Sequence, residues 1–193
     1  ILGVVLGFIV AIIRSAHDKT GKLKVANFIC RLYLTVIRGT PVVVQLLIIY
    51  YGIFASVTIE KMIVAVIAFG INSGAYVAEI VRSGIMSIDK GQLEAGRSLG
   101  FSYAQTMVYI IIPQAFKNVL PALGNELIVL LKETSVSGYI AMEDLTKGGD
   151  IIRSRTFDAM MPLLAVAAIY LAVVVLLEFL VGKLERRLRN SDH

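Results

Sequence analysis

Tryptophan is absent from this chain of 193 residues, and cysteine, histidine and proline occur only one, two and four times. A lone Cys30 excludes an internal disulfide and reads as an apolar filler. The two histidines, His17 and His193, stand in polar flanks with no cluster of metal-ligating residues, so no metal site is expected. No Gly-x-x-x-x-Gly-Lys-Ser/Thr phosphate loop occurs, which excludes ATP binding by that route. No Ser/His/Asp or Cys/His constellation suggests a catalytic residue, so the chain reads as no enzyme and as needing no cofactor of its own. Charge is scarce as well: 17% of residues, against about a quarter in soluble domains.

What the sequence has in quantity is apolar residues, 57% of the total, with a mean hydropathy of +0.79. They come in long blocks, and about twenty residues at 1.5 Å rise cross a hydrocarbon core of about 30 Å. The chain therefore reads as an all-α membrane protein set in a lipid bilayer. The net charge of +5 sits in basic flanks around the apolar blocks, without interleaved aromatics, so no nucleic acid is expected as a partner.

Five spans are predicted, at residues 1–13, 41–55, 62–81, 119–142 and 160–181. The first opens inside an apolar run without a charged start, unlike a signal peptide, and reads as a truncated first helix. Thr40-Pro41 reads as an N-cap followed by Pro at the first helical position. Residues 25–37 are amphipathic and are expected along an interface. Basic residues crowd the segment between the first two spans (Arg14, Lys19, Lys22, Lys24, Arg31, Arg38) and follow the fifth (Lys183, Arg186, Arg187, Arg189). Such regions face the cytoplasm, which places the N-terminus outside and the C-terminus inside. The stretch 143–158 then reads as an external loop.

The most informative segment is residues 89–113, DKGQLEAGRSLGFSYAQTMVYIIIP. Asp89 with Gln92, and Ser102 with Gln105, read as two capping boxes, and Gly100 as a helix stop between them. A short cytoplasmic helix over about 89–100 with small residues Gly91, Ala95 and Ser98 on one side reads either as a surface for docking into a partner's groove or as an ordinary solvated connection. The pattern Glu94-Ala95-Gly96, then Gly100, Ile110, Ile112 and Pro113 resembles the EAA motif of bacterial ATP-binding-cassette importer permeases. Gly96 stands for the motif's second Ala and Ile112 for its Leu. Arg38-Gly39-Thr40-Pro41 with Gln45, the run from Gly74 to Ile85, and Leu131 to Ser135 resemble the polar amino acid permeases of that class.

That resemblance covers nearly the whole chain. It implies a single permease domain, residues 1–193, with the five-helix type I importer fold in the bacterial cytoplasmic (inner) membrane. It also implies a second permease subunit (identical or different), two ATPase subunits carrying ATP and magnesium, and an external binding protein. Glu94, Ala95, Gly96, Ser98 and Gly100 become the residues of ATPase coupling.

Polar residues inside spans mark the expected pathway. Asn72, Tyr76, Glu79 and Ser83 fall on one face of the third span, with Arg82 placed to pair with Glu79. Glu126, Glu133 and Ser137 fall on one face of the fourth, and Asn72 and Glu133 are expected near one depth, sharing a water-filled pocket. Gly70, Gly74, Gly124 and Pro121 permit either packing notches or local unwinding. Candidate substrate residues are Glu133, Asn72, Ser73, Thr134, Glu126, Tyr76 and Glu79. Glu133 would hold an ammonium group, Asn72, Ser73 and Thr134 a carboxylate, and Glu126 a second positive charge. That surplus of negative groups leans toward arginine, lysine or histidine, with glutamine or another zwitterion as the alternative. A stand-alone secondary transporter is the competing class, but it would show an internal repeat, which this sequence lacks. A membrane scaffold would not need Glu133 in the bilayer.

Overall fold

The computed structural model describes residues 1–189; His193 and the chain end, for which expectations were set above, lie outside the described residues. Twelve helical segments follow one another without a strand among the described residues. They are α1 (Leu2–Thr20), α2 (Lys24–Gly39), α3 (Val42–Ile48, prolonged by a π turn Ile49–Ile53), α4 (Lys61–Met86), α5 (Lys90–Ser98) and α6 (Tyr103–Thr106). A second π turn, Met107–Ile111, leads into α7 (Ile112–Glu133), which tightens into a 3-10 segment, Thr134–Ile140. Then come α8 (Leu145–Thr156) and α9 (Met160–Arg189).

The centre is α4, whose 26 residues reach about 39 Å. Two Gly-x-x-x-Gly pairs zip α1 onto it. A Cβ on Gly3 or Gly7 would meet Ser73 at 3.0 Å or Val77 at 2.5 Å, and one on Gly70 or Gly74 would meet Leu2 at 2.5 Å or Leu6 at 3.0 Å. Small residues at this spacing let two backbones approach, which is how helices associate where lipid removes the hydrophobic drive. Gly84 likewise receives Val119 of α7, and Gly124 of α7 receives Val181 of α9. Of the two readings left open for these glycines, the packing notch is the one observed: α4 and α7 run unbroken through Gly70, Gly74, Gly124 and Pro121.

By length and composition three helical runs can cross a membrane: Lys61–Met86, the continuous Tyr103–Ile140, and Met160–Leu188 with a mean hydropathy of 2.8. The pair α2 and α3, bent by 112°, makes a fourth if taken as one span. The polar end of α1 is neutralised within the bundle, Arg14 by Glu79 and Asp18 by Arg82. The predicted second span is shorter than expected. Its 12 residues, Val42–Ile53, rise about 18 Å, less than a hydrocarbon core.

Several local predictions change. Thr40 serves the end of α2, its hydroxyl donating to Val36 O at 2.8 Å, and Pro41 itself holds the N-cap position of α3. Arg82 pairs with Asp18 at 3.0 Å, leaving Glu79 to Arg38 and Arg14. The 143–158 stretch is largely helical: Asp144 caps α8 by accepting from Lys147 N at 2.6 Å. On α8, hydrogen bonds from Arg153 and then Lys147 hold the exposed Asp150 carboxyl below its usual range.

Candidate functional site

Two regions carry the polar chemistry, one at the tip of the bundle and one inside it. At the tip, α5 is delimited by its own sequence. Asp89 accepts from Gly91 N at 2.6 Å, so the cap is formed one residue short of the reciprocal box expected with Gln92. At the other end Phe101 N donates to Gly96 O at 3.1 Å and Gly100 N to Arg97 O at 3.0 Å. That pair of bonds is a Schellman stop, and it needs the left-handed backbone of Gly100, φ +89°. The second capping box is formed in full: Ser102 Oγ accepts from Gln105 N, and Gln105 Oε1 from Ser102 N.

The exposed side of α5 presents Gly91, Glu94, Ala95 and Ser98. Gly96 does not belong to that surface. It is buried, and a Cβ there would meet Thr106 Cγ2 at 2.5 Å and Ile110 Cδ1 at 3.0 Å. The second small residue of the motif therefore lets α5 fold down on α6 and the π turn, while Ala95 stays open to a partner.

Inside the bundle, Ser73 of α4 donates to Glu126 Oε1 of α7 at 2.9 Å. Glu126 stands between two cavities. One, of about 370 Å³, is largely apolar and is walled by α1, α4 and α7, with Ser73, Glu126, Thr134 and Ser137 among its lining. The other, of about 430 Å³, lies toward the α5 end and is lined by Arg38, Tyr76, Glu79, Ser83, Asn118 and Glu126. So Tyr76, Glu79 and Ser83 share a polar face as predicted, while Ser73 and Thr134 reach the same region from the opposite side of Glu126.

Asn72 is the residue that leaves the predicted set. It is 2% exposed and its Nδ2 donates to Gln45 Oε1 at 2.9 Å. Gln45 Nε2 in turn sits 2.7 Å from Ile37 O, 3.0 Å from Thr40 O and 2.8 Å from Thr40 Oγ1. The pair ties the 112° bend to α4. One position along a helix turns the side chain by about 100°, which separates Asn72 from Ser73. Glu133 is half-buried and lines neither cavity, so the pocket predicted to join Asn72 and Glu133 is built around Ser73 and Glu126 instead. The hydroxyl of Thr134 donates to Leu131 O at 2.7 Å.

Residues 3–190 match the family described as the inner membrane component of binding-protein-dependent transport systems. The chain belongs to this family. It is 37% identical to the arginine transport system permease protein ArtQ of Bacillus subtilis (strain 168), over all of this chain and 86% of that one. It is 38% identical to the glutamine transport system permease protein GlnP of Escherichia coli (strain K12), over 98% of this chain and 87% of that one. A crystal structure of an amino acid ABC transporter with histidines matches 96% of this chain and 85% of that one, at 44% identity and a TM-score of 0.89. The MetNI methionine ABC transporter, inward facing, shares the fold at 19% identity and a TM-score of 0.77.

This permease therefore has the type I importer fold and is a transport subunit of an amino acid ABC importer, with ATP hydrolysed by a partner ATPase. Three residues were missed as a group by sequence reasoning: the half-buried Arg14 and the exposed Arg31 and Arg38. With Leu34, Thr35, Gly39, Tyr76 and Glu79 they wall a third cavity of about 610 Å³. Arg14 had been read as the close of the first span and all three as part of a basic flank, because a flank and a cavity wall have the same composition. The available signal was the Arg38-Gly39-Thr40-Pro41 run with Gln45, which marks a bend and not a loop.

Proposed function

We propose that this permease lines half of a membrane pathway for polar amino acids with a cationic group to hold, arginine, lysine and histidine before glutamine. The observation that carries this reading is Glu126, a carboxylate steadied by the Ser73 hydroxyl between two cavities inside a bundle. A carboxylate at membrane depth is kept where it meets a cation or a pathway, and low dielectric strengthens its hold on an ammonium or guanidinium group. Glu133 lies two turns away on the same face of α7, about 10.5 Å along the axis; it lines neither cavity and adds a second negative charge behind Glu126. Tyr76 and Glu79 continue the path toward α5, and Thr134 stands at its other side.

On this reading the chain is one permease domain. Its α5 end faces the cytoplasm, where Glu94, Ala95 and Ser98 meet an ATPase that carries ATP and magnesium. The N-terminus then faces outside and the C-terminus inside. A second permease subunit completes the pathway, two ATPases drive it, and an external binding protein delivers the amino acid. The basic residues between α1 and α3 and at the end of α9 support that sidedness.

The test uses vesicles holding the full transporter with its binding protein and ATPase. Glu126→Gln and Glu133→Gln are expected to assemble and hydrolyse ATP, yet to import labelled arginine at no more than about a tenth of the normal rate, a loss of about 1.4 kcal/mol or more. Normal arginine uptake by both variants would refute the acidic pathway.

A further inference from the structure

The cavity behind the bend adds Arg14 and Arg31 to the Arg38 and Glu79 that also line the pathway described above. Its wall holds Arg14, Arg31 and Arg38 against a single carboxylate, Glu79. Two of the three guanidinium groups converge on one oxygen: Arg38 Nη1 lies 3.3 Å and Arg14 Nη1 3.6 Å from Glu79 Oε2. Arg38 also stands over the Tyr76 ring, 5.9 Å from its centroid. Arg14 is held more tightly, its side chain 15% exposed, and its Nε is buried without a hydrogen-bond partner. The third, Arg31, has no carboxylate within ion-pair reach among the described residues.

Glu79 lies seven residues before the end of α4, about 10 Å from the α5 end, within the bundle. Three cations and one anion around one cavity give it a net positive lining, which favours an anionic ligand. Arg38, 43% exposed, is free to face the cavity, and a guanidinium fork fits a carboxylate with two parallel hydrogen bonds. This cavity shares Arg38, Tyr76 and Glu79 with the one that contains Glu126. Meanwhile the groups expected to hold a ligand carboxylate are committed elsewhere: Asn72 to Gln45, Ser73 to Glu126 and Thr134 to Leu131 O.

We propose that Arg38, backed by Arg14, receives the α-carboxylate of the transported amino acid, and that Glu79 fills that receptor as a stand-in while the site is empty. This rests on the pathway reading above. The incoming carboxylate displaces Glu79 from Arg38, and the freed Glu79 faces the α-ammonium group. One exchange thus recognises both charges common to every amino acid and leaves the side chain to Glu126. The receptor selects amino acids as a class, whichever side chain is carried.

Equilibrium binding to the purified permease–ATPase complex, with the binding protein left out, tests this directly. The probes are labelled L-arginine, L-glutamine and agmatine, which is arginine without its α-carboxylate. The unaltered complex is expected to bind arginine roughly 10- to 100-fold more tightly than agmatine, the range of a charged hydrogen-bonded contact. Arg38→Gln should raise the arginine Kd to that of agmatine and leave agmatine unchanged. Arg38→Glu combined with Glu79→Arg restores the ion pair and assembly; it should still fail to tell arginine from agmatine. Normal discrimination in that double variant, or an unchanged arginine Kd in Arg38→Gln, would overturn the proposal and make the pair structural. Loss of a co-purifying anionic phospholipid with unchanged amino acid Kd would overturn it in favour of a lipid headgroup. If the unaltered complex binds neither amino acid, the pathway reading itself fails, and this receptor with it.

Discussion

Asn72 and Gly96 show how a single residue's direction decides its role. Asn72 lies one position from Ser73 but points to α3, where its amide supports Gln45 and through it the bend. Asn72→Ala leaves Gln45 Oε1 buried without its donor, a cost of about 1–3 kcal/mol. Thermal unfolding of the detergent-solubilised complex should show a clear loss of stability, and an unchanged midpoint would return Asn72 to the candidate ligand set. Gly96 makes the opposite point. Its place in a docking motif suggested a partner-facing notch, whereas Thr106 of the same chain fills the space. Gly96→Val should destabilise the permease itself by about 1–3 kcal/mol through overpacking, read out as lower melting temperature even without the ATPase. Ser73 and Glu126 were named from the sequence individually; that they touch was not legible, because 53 residues separate them and periodicity orders faces only within one helix.

Among the elements, α5 was legible nearly residue for residue. Its stop and the next helix's start depend on Gly100, Ser102 and Gln105, whose hydrogen bonds are all local. The bend between α2 and α3 was not, because its 112° angle is held by Gln45 reaching back to Ile37 and across to Asn72. The same holds for α8, a polar helix with Gly148 and Gly149 in its middle that composition describes as a loop. Its Gly149 receives Val166 of α9, a contact invisible in the sequence. The functional consequence at this scale concerns α5. Ala95→Trp adds bulk to an exposed position and should leave the melting temperature nearly unchanged, within about 0.5 kcal/mol. It should nevertheless release the ATPase on affinity purification. Full retention with normal stimulated hydrolysis would show that the face of α5 around Ala95 is not the docking surface.

For the whole molecule, the order of the apolar blocks was legible, but the expected count of five was not met: three runs are long and apolar enough to cross, the bent α2–α3 pair makes a fourth, and α1, which carries Arg14 and Asp18, does not qualify. Sidedness is the part of that reading still to be measured. A cysteine at Gly148, where an added Cβ meets nothing within 4 Å, should react with an impermeant thiol reagent applied outside intact cells. One at Lys90 should react only after the cells are opened. The reversed pattern would place α5 outside and remove the coupling role. How the helices then combine follows from small residues: Gly3, Gly7, Gly70 and Gly74 join α1 to α4, and Gly84 and Gly124 bring α7 against α4 and α9. The proposed pathway follows the places where polar side chains interrupt that packing, from the cavity around Ser73 and Glu126 to the arginine-lined one near Arg38. ATP is hydrolysed by the partner ATPase, and α5 is the proposed surface through which that hydrolysis reaches the bundle. The most direct measurement is uptake of labelled arginine and glutamine by vesicles containing the permease, its ATPase and its binding protein. Accumulation is predicted only with ATP inside the assay compartment that holds the ATPase, and it should stop when the ATPase is omitted or replaced by a hydrolysis-deficient form. Uptake that persists without ATP and follows an ion gradient would contradict the account and identify a secondary transporter.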